Sequence, residues 1–261
     1  MCLYRVDTIA LLQIFGKLNS NVCNVGSPNG VLAKMTVDYV NNTNQRTPCV
    51  LVLDASYSMS TKTSSGKTRI QLLNEGLKEF ESALKSDTTA LTRVQVSIVI
   101  VGGPNSTAEL LMDWTDANYF SAFKLTDGGN TPLAEGLEVG LTLVETAKEN
   151  LKQNGVSYTR PWMFVMSDGE PTSDRTSWET ATAKCKAAIK DKKLAIFPIA
   201  IDSAPNTKLN DISDIPPAKM EGTKFREFFV WLSDSLSAVT RSRPGETTEL
   251  PDTDPWRHVG T

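Results

Sequence analysis

The sequence predicts an α/β fold: a doubly wound, mostly parallel central sheet with helices on both faces. Three observations predict it. Short, continuous apolar runs recur along the chain, at Cys49 to Leu53 (CVLVL), Val94 to Val101 (VQVSIVIV), Trp162 to Met166 (WMFVM) and Leu194 to Ile201 (LAIFPIAI). Such runs mark strands buried on both faces. Amphipathic segments at helical spacing stand between them, and strands alternating with helices build a parallel sheet covered on both sides. The 261 residues, 40% hydrophobic and 22% charged, have the composition of an ordinary globular protein. A core of that size needs no disulfide staples.

Residues 1–46 carry Asn, Ser and Gly clusters (Asn19 to Gly30, Asn41 to Asn44) and a single apolar run, Ile9 to Phe15. They are expected to be a peripheral or disordered segment. Met35 is an alternative initiator, which would make residues 1–34 an extension of the true protein. The main domain is expected over 47–241. After its first strand, Ile70, Leu73, Leu77, Phe80 and Leu84 form one helical stripe. Val94 to Val101 is followed by Ala108 to Trp114, a strand that can run antiparallel to it. A helix is predicted from Pro132, a residue suited to a first turn, with Leu133, Leu137, Leu141, Val144 and Leu151 on one face. Beyond the Trp162 strand, Thr176 with Glu179 reads as a capping box for a helix reaching about Lys190. Pro198 marks a bulge or an edge position in the last long strand. A final helix presents Phe225, Phe228, Phe229, Leu232, Leu236 and Val239 to the sheet, and residues 242–261, with Pro244, Pro251 and Pro255, form an extended tail.

Composition excludes several function classes. With 27 basic and 30 acidic residues and a formal charge of −3, there is no basic footprint for nucleic acid. Cys2, Cys23, Cys49 and Cys185 form no CxxC pair, which argues against a zinc ribbon or a dense disulfide framework. A Cys2–Cys23 or Cys23–Cys49 bridge stays open. His258 is the only histidine, so a His-rich zinc site is out of reach and a histidine-dependent triad would rest on that one tail residue. Nothing approaches the roughly 20 apolar residues of a membrane span. Ile9 to Phe15 is interrupted by Gln13, and Asp7 intrudes before it, so it is a poor export signal. A cytoplasmic protein is expected. The stretch Ser64-Ser65-Gly66-Lys67-Thr68 lacks a phosphate loop's first glycine, Thr61 standing in its place. It is read as a solvated lead-in to the first long helix. Trp178, Trp231 and the phenylalanines near 225–229 are read as packing.

In an open α/β sheet, ligands bind outside the carboxyl ends of the strands. Three loops are predicted there, and all carry oxygen donors: Asp54-Ala55-Ser56-Tyr57-Ser58, Gly128-Gly129-Asn130-Thr131, and Ser167-Asp168-Gly169. Ser56 and Ser58 are two apart in an exposed loop, so both hydroxyls can face one ion. The glycine pair allows the second loop to approach closely. Asp54 and Asp168 supply negative charge. Hard oxygen donors suit one Mg²⁺ or Mn²⁺ better than zinc or copper. Asp, Ser and Thr also cap helices at such junctions, and Thr131 before Pro132 would make a good N-cap with no metal.

Taken together, the Asp-x-Ser-x-Ser loop, the Thr after a glycine pair and the later Asp resemble the metal-ion-dependent adhesion site of von Willebrand factor A-type (VWA) domains, over roughly residues 47–241. The resemblance implies that Ser56 and Ser58 ligate the metal directly. It implies that Thr131 does so directly or through water, and that Asp54 and Asp168 hold the metal's waters. DASYSMS, GGNTPLAEGL, MFVMSDGEPTSD and KFREFFVWLSDSLSAVTRSRPGE are most similar to bacterial TerY-like VWA proteins. That subfamily is linked to tellurite resistance and to operons with a protein kinase and a metal-dependent protein phosphatase. Tyr57 stands where many relatives carry Gly. The implied function is a cytoplasmic, non-enzymatic adaptor whose metal is completed by an Asp or Glu of a protein partner. Two alternatives are a Mg²⁺-dependent hydrolase or phosphotransferase using Asp54, and a structural interaction domain with a vestigial metal site. Against the hydrolase, Ser occupies the positions where a second acid would be wanted.

Overall fold

The computed structural model describes residues 37–202, 208–221, 223–241 and 248–253. The expectations for residues 1–36, for His258 and for most of the C-terminal tail lie outside the described residues, as do Cys2 and Cys23. Six strands and five α-helices make up the described part: β1 (Thr47–Ala55), α1 (Arg69–Ser86), α2 (Thr88–Arg93), β2 (Val94–Gly102), β3 (Thr107–Asp116), α3 (Leu133–Gln153), β4 (Trp162–Ser167), α4 (Arg175–Lys190), β5 (Ala195–Ile201), β6 (Ala218–Met220) and α5 (Phe225–Arg241).

The strands form one sheet in the order β3-β2-β1-β4-β5-β6. β1 pairs in parallel with both β2 and β4, and β4, β5 and β6 continue in parallel. Only β3 runs antiparallel, against β2. The chain leaves β1 on one side and returns on the other, so the strand order reverses between β1 and β4. This is the switch point at which doubly wound sheets open a crevice.

Alternation along β1 divides the core into two layers. Leu51 and Leu53 face α1 and α5, where Leu73, Leu77, Phe80, Phe225, Phe228 and Phe229 are fully buried. Val50 and Val52 face α3 and α4, with Leu137, Val144, Trp178 and Cys185. A strand buried on both faces has no room for polar residues at either parity, which is why CVLVL is continuous. Cys49 is a buried free thiol in β1.

Local details differ from expectation at a few points. The cap of α4 is Asp174, whose Oδ1 accepts from the N–H groups of Thr176 and Ser177 at 2.9 and 3.0 Å. Glu179 instead binds Arg175 at 2.6 Å. The helix therefore starts before the expected Thr176–Glu179 box, because a carboxylate two residues earlier satisfies two orphan N–H groups. A true capping box lies at α1, between Thr68 and Gln71. Pro198 is in regular register with Val165 of β4, and β6 pairs only from Ile199 onward. Pro198 is thus an edge position, where a missing N–H costs no ladder bond. The short α2 and β6 were not expected, being too brief for any periodic pattern.

At the amino end of the sheet, Arg46 is fully buried. Its guanidinium donates to the carbonyls of Asp38 (2.8 Å), Asn42 (2.7 Å), Asn44 (2.7 Å) and Thr92 (3.3 Å). It also stands 3.6 Å from Asp116. Asp116 in turn accepts from the Asp38 N–H at 3.1 Å and from the Gln95 amide at 3.0 Å. This cluster fastens residues 38–46, which form no strand or helix before the approach to β1.

Candidate metal centre

Asp54 is the penultimate residue of β1, and only 1% of it is exposed. One carboxylate oxygen accepts from the Ser56 N–H at 2.8 Å, the other from the Ser167 hydroxyl at 2.5 Å. Burial pushes the Asp54 carboxyl up to about 6, against the lowering effect of these bonds, with Asp168 adding a smaller upward push. A 3₁₀ turn over Tyr57–Ser60 follows β1 and curls Ser58 back toward Ser56. The two hydroxyls stand 3.0 Å apart. Ser58 donates onward to Asp168 Oδ1 at 2.5 Å. Ser56 is not in the exposed position expected: it is 2% exposed, while the Tyr57 ring between the two serines is 73% exposed.

The second loop is held by backbone. The Gly128 N–H and the Gly103 N–H both donate to the Ala55 carbonyl at 2.9 Å, and the Tyr57 N–H donates to the Gly129 carbonyl at 3.1 Å. Gly129 has φ 63°, and a Cβ there would stand 2.7 Å from the Gly103 carbonyl oxygen. No larger residue fits without moving backbone. Thr131 follows, anchored through its main chain: its N–H donates to the Thr172 hydroxyl at 3.0 Å, and its carbonyl accepts from the Thr172 N–H at 2.9 Å. Pro132, the N-cap residue of α3, offers no side-chain bond, and the first-turn N–H of Ala134 is taken by the Ser173 hydroxyl at 3.1 Å. The capping role open to Thr131 from sequence is therefore not taken up, and its hydroxyl is not spent on the helix.

Asp168 directly follows β4, with its side chain fully buried. Besides Ser58, it binds Arg69, whose Nη1 donates to Asp168 Oδ2 at 2.5 Å. The structure therefore brings the three predicted loops together at the β1/β4 switch point. It also brings in residues to which the sequence reading gave no individual role. Ser167 orients Asp54, Thr172 holds Thr131, and Ser106 accepts from the Asn130 N–H at 2.6 Å. Gly102, with φ 93°, lets the β2–β3 turn pass beneath both loops; a Cβ there would be 2.7 Å from the Asn130 carbonyl oxygen and 2.8 Å from Ser56 backbone. Arg69 did carry a local signal, since an arginine in a helix's first turn opposes the helix dipole.

These residues fit a hard divalent ion. Neighbouring ligands of an octahedral Mg²⁺, with oxygens at 2.0–2.1 Å, stand about 3.0 Å apart. The Ser56 and Ser58 hydroxyls already have that separation, at 3.0 Å. Among the described residues no group of three or more His, Cys, Asp or Glu is arranged to hold a metal, so the donors here are hydroxyls backed by carboxylates. The Ser64–Thr68 stretch does not form a phosphate cradle: Lys67 binds Glu75 at 2.7 and 2.8 Å.

The sequence profile of the von Willebrand factor type A domain matches residues 49–230. Comparison with curated proteins gives no sequence match. Among solved structures, the pilus adhesin SpaC from Lactobacillus rhamnosus GG is similar with a TM-score of 0.56 and 15% identity, over 76% of this chain and 32% of that one. The vWF domain of the type V pili tip protein Mfa5 from Porphyromonas gingivalis gives 0.53 and 11%, over 78% of this chain and 99% of that domain. Proximal thread matrix protein 1 from the mussel byssus, in a structure with a zinc-occupied MIDAS motif, gives 0.47 and 15%, over 77% and 47%. The chain thus spans less than half of the SpaC and mussel proteins, and identities this low show the fold alone.

Proposed function

Because the chain belongs to the von Willebrand factor type A domain family, we propose that it is a divalent-metal-dependent protein-binding module with no catalysis of its own. The observation that carries this reading is the pair of serine hydroxyls 3.0 Å apart, backed by the buried carboxylates of Asp54 and Asp168. In this reading one Mg²⁺ or Mn²⁺ is held by Ser56 and Ser58, with Thr131 as a direct or water-mediated ligand. Asp54 and Asp168 hold the metal's waters. When bound, the ion supplies an electrophilic position that an Asp or Glu carboxylate of a partner completes. Neutral hydroxyl ligands leave the ion's charge largely unquenched, so an acidic partner group is favoured over a neutral one.

The finer reading is a TerY-like bacterial adaptor of the cytoplasm, acting with a protein kinase and a metal-dependent protein phosphatase. Its support is the set of sequence segments from DASYSMS to the α5 region. Among the described residues no helix is long and apolar enough to cross a membrane. The domain is proposed to span 47–241, with 1–46 and 242–261 flanking it. The hydrolase alternative is weakened by Asp54 itself: both of its oxygens already accept hydrogen bonds, and it is almost wholly buried. A nucleophile needs an approachable oxygen.

The test is capture of partners from the source cell by the full chain, in Mg²⁺ and in EDTA. Partners are expected to bind only with metal, and to be lost in the Ser56→Ala/Ser58→Ala variant. Mutation of one exposed acid on the partner is expected to remove most of the metal dependence. Retention of the same partners in EDTA would overturn the reading. Phosphate release from a generic phosphoester in Mg²⁺ would favour the hydrolase instead.

A further inference from the structure

Arg69 opens α1 at its positive end, in a first turn that contains no acidic residue. Local helix physics disfavours a cation there. Two carboxylates from distant strands hold it in place. Its Nη1 donates to Asp168 Oδ2 at 2.5 Å, and its Nε donates to Asp202 Oδ2 at 2.7 Å. The Arg69 side chain is 16% exposed and that of Asp168 is 0% exposed, so this is not a solvated surface pair. Asp202 directly follows β5 in a left-handed conformation, φ 59°, and its N–H donates to the Met220 carbonyl at 2.7 Å. The guanidinium therefore lies between the carboxyl ends of β4 and β5, against the metal centre.

Asp54 and Asp168 place two buried carboxylates at the centre, and the Arg69 guanidinium sets one positive charge between Asp168 and the partly exposed Asp202. Arg69 also decides how Asp168 is presented: Oδ2 is taken by the guanidinium, leaving Oδ1 on the Ser58 hydroxyl.

We propose that Arg69 is an internal counter-cation of the metal centre, which holds Asp168 in position and sets the metal affinity below what the carboxylates alone would give. Asp202 shares that charge and keeps it from falling wholly on Asp168. This rests on the metal-binding reading above. Arg69 is a positioning residue and touches neither metal nor partner. A guanidinium that served only to fasten α1 to the sheet would affect stability and leave the direction of metal affinity unmoved.

The experiment is calorimetric titration of the full chain with Mg²⁺ and with Mn²⁺, in wild type, Arg69→Met, Arg69→Lys and Asp202→Asn. Arg69→Met keeps the stem and removes the charge, and is expected to bind metal about tenfold more tightly. That is the smallest effect expected, since it takes one charge a few ångströms from a divalent ion under water-like screening and the site is largely buried. Arg69→Lys restores the charge and is expected to stay within about threefold of wild type by the same electrostatics. Asp202→Asn leaves Arg69 committed to Asp168 and is expected to bind more weakly. Melting in EDTA adds a second readout: Arg69→Met is expected to melt lower than wild type without metal, and to recover the loss with it. Unchanged or weaker metal binding in Arg69→Met overturns the proposal while leaving the metal centre standing. Should that variant not fold, unchanged affinity in Asp202→Asn overturns it equally. Absence of binding in every variant, wild type included, fails the metal reading and this inference together.

Discussion

The two ends of the central sheet each set one arginine against acids, Arg46 fully buried and Arg69 half-buried, and they are built for opposite purposes. At the amino end, Arg46 donates to four backbone carbonyls and approaches Asp116. Those acceptors are neutral, fixed by the chain, and already in place. The cluster is nearly closed, with Arg46 Nε and Gln95 Oε1 the atoms in it that lack a hydrogen-bond partner among the described residues. At the carboxyl end, Arg69 binds carboxylates, and the hydroxyls of Ser56 and Ser58 bond one another and the carboxylates of Asp54 and Asp168. Asp54 is buried there with its carboxyl pushed up to about 6. Negative charge is left over at that end, and a cation from outside can relieve it. A buried arginine is therefore no marker of function in itself. What its acceptors are, backbone carbonyls or surplus carboxylates, separates a lock from a socket.

The largest expected effect breaks the lock. Arg46→Met strands Asp116 and several carbonyls, and removing one partner of a buried charge cluster costs about 3–5 kcal/mol. Thermal melting is expected to drop by about 10 °C, at roughly 2–4 °C per kcal/mol for this size. Metal affinity is expected to stay within error of wild type. A chain beginning at Thr47, which discards Arg46, is expected to melt as low. A drop in metal affinity on Arg46→Met would show that the two ends are coupled, and the contrast drawn above would fail.

A somewhat smaller effect sharpens the socket through pH. The folded-state value of Asp54 is raised from 3.8 to about 6, chiefly by burial. The folded protein thus holds that proton more tightly than the unfolded chain does. Without metal, its contribution is fully present below about pH 3.8 and is lost as pH rises to about 6, a fall of about 3 kcal/mol. Metal needs the carboxylate, so apparent metal affinity is expected to rise with pH up to about 6 and to level off above it. Denaturation in EDTA and titration with Mg²⁺ from below about pH 3.8 to about pH 8 would check both slopes. Asp54→Asn removes the charge, and is expected to match or exceed wild-type stability at pH 8 in EDTA while losing metal binding. An affinity independent of pH below 6 would remove Asp54 from the centre.

The smallest of these effects is expected at Asp168. Changes in the residues that orient metal-bound waters typically cost about 10–100-fold in affinity. Asp168→Ala is expected near the upper end, because Arg69 is then left beside the ion with only Asp202 to balance it. A milder loss in the double variant Asp168→Ala/Arg69→Met than in Asp168→Ala alone would show the arginine's charge directly.

The sequence by itself determined the fold class and the grouping of the three loops. Those are consequences of local pattern: CVLVL and WMFVM have no polar parity, so they must be doubly covered strands, and polar loops that follow parallel strands must gather at one edge. It also singled out Asp54, Ser56, Ser58, Thr131 and Asp168, since each stands at a strand end or a helix start with its donor type plain. Even locally, the Thr176–Glu179 pattern pointed to the wrong cap of α4, because Asp174, whose carboxylate takes the Thr176 and Ser177 N–H groups, stands only two residues before it. What only the tertiary structure decided is how the charges are partnered. Asp168 meets Arg69 across 99 residues, Asp54 meets Ser167 across 113, and Arg46 meets the Thr92 carbonyl across 46. No periodicity links such positions. A buried charge is stabilised by whichever groups the packed chain brings within hydrogen-bonding distance, and those distances exist only once the sheet has closed.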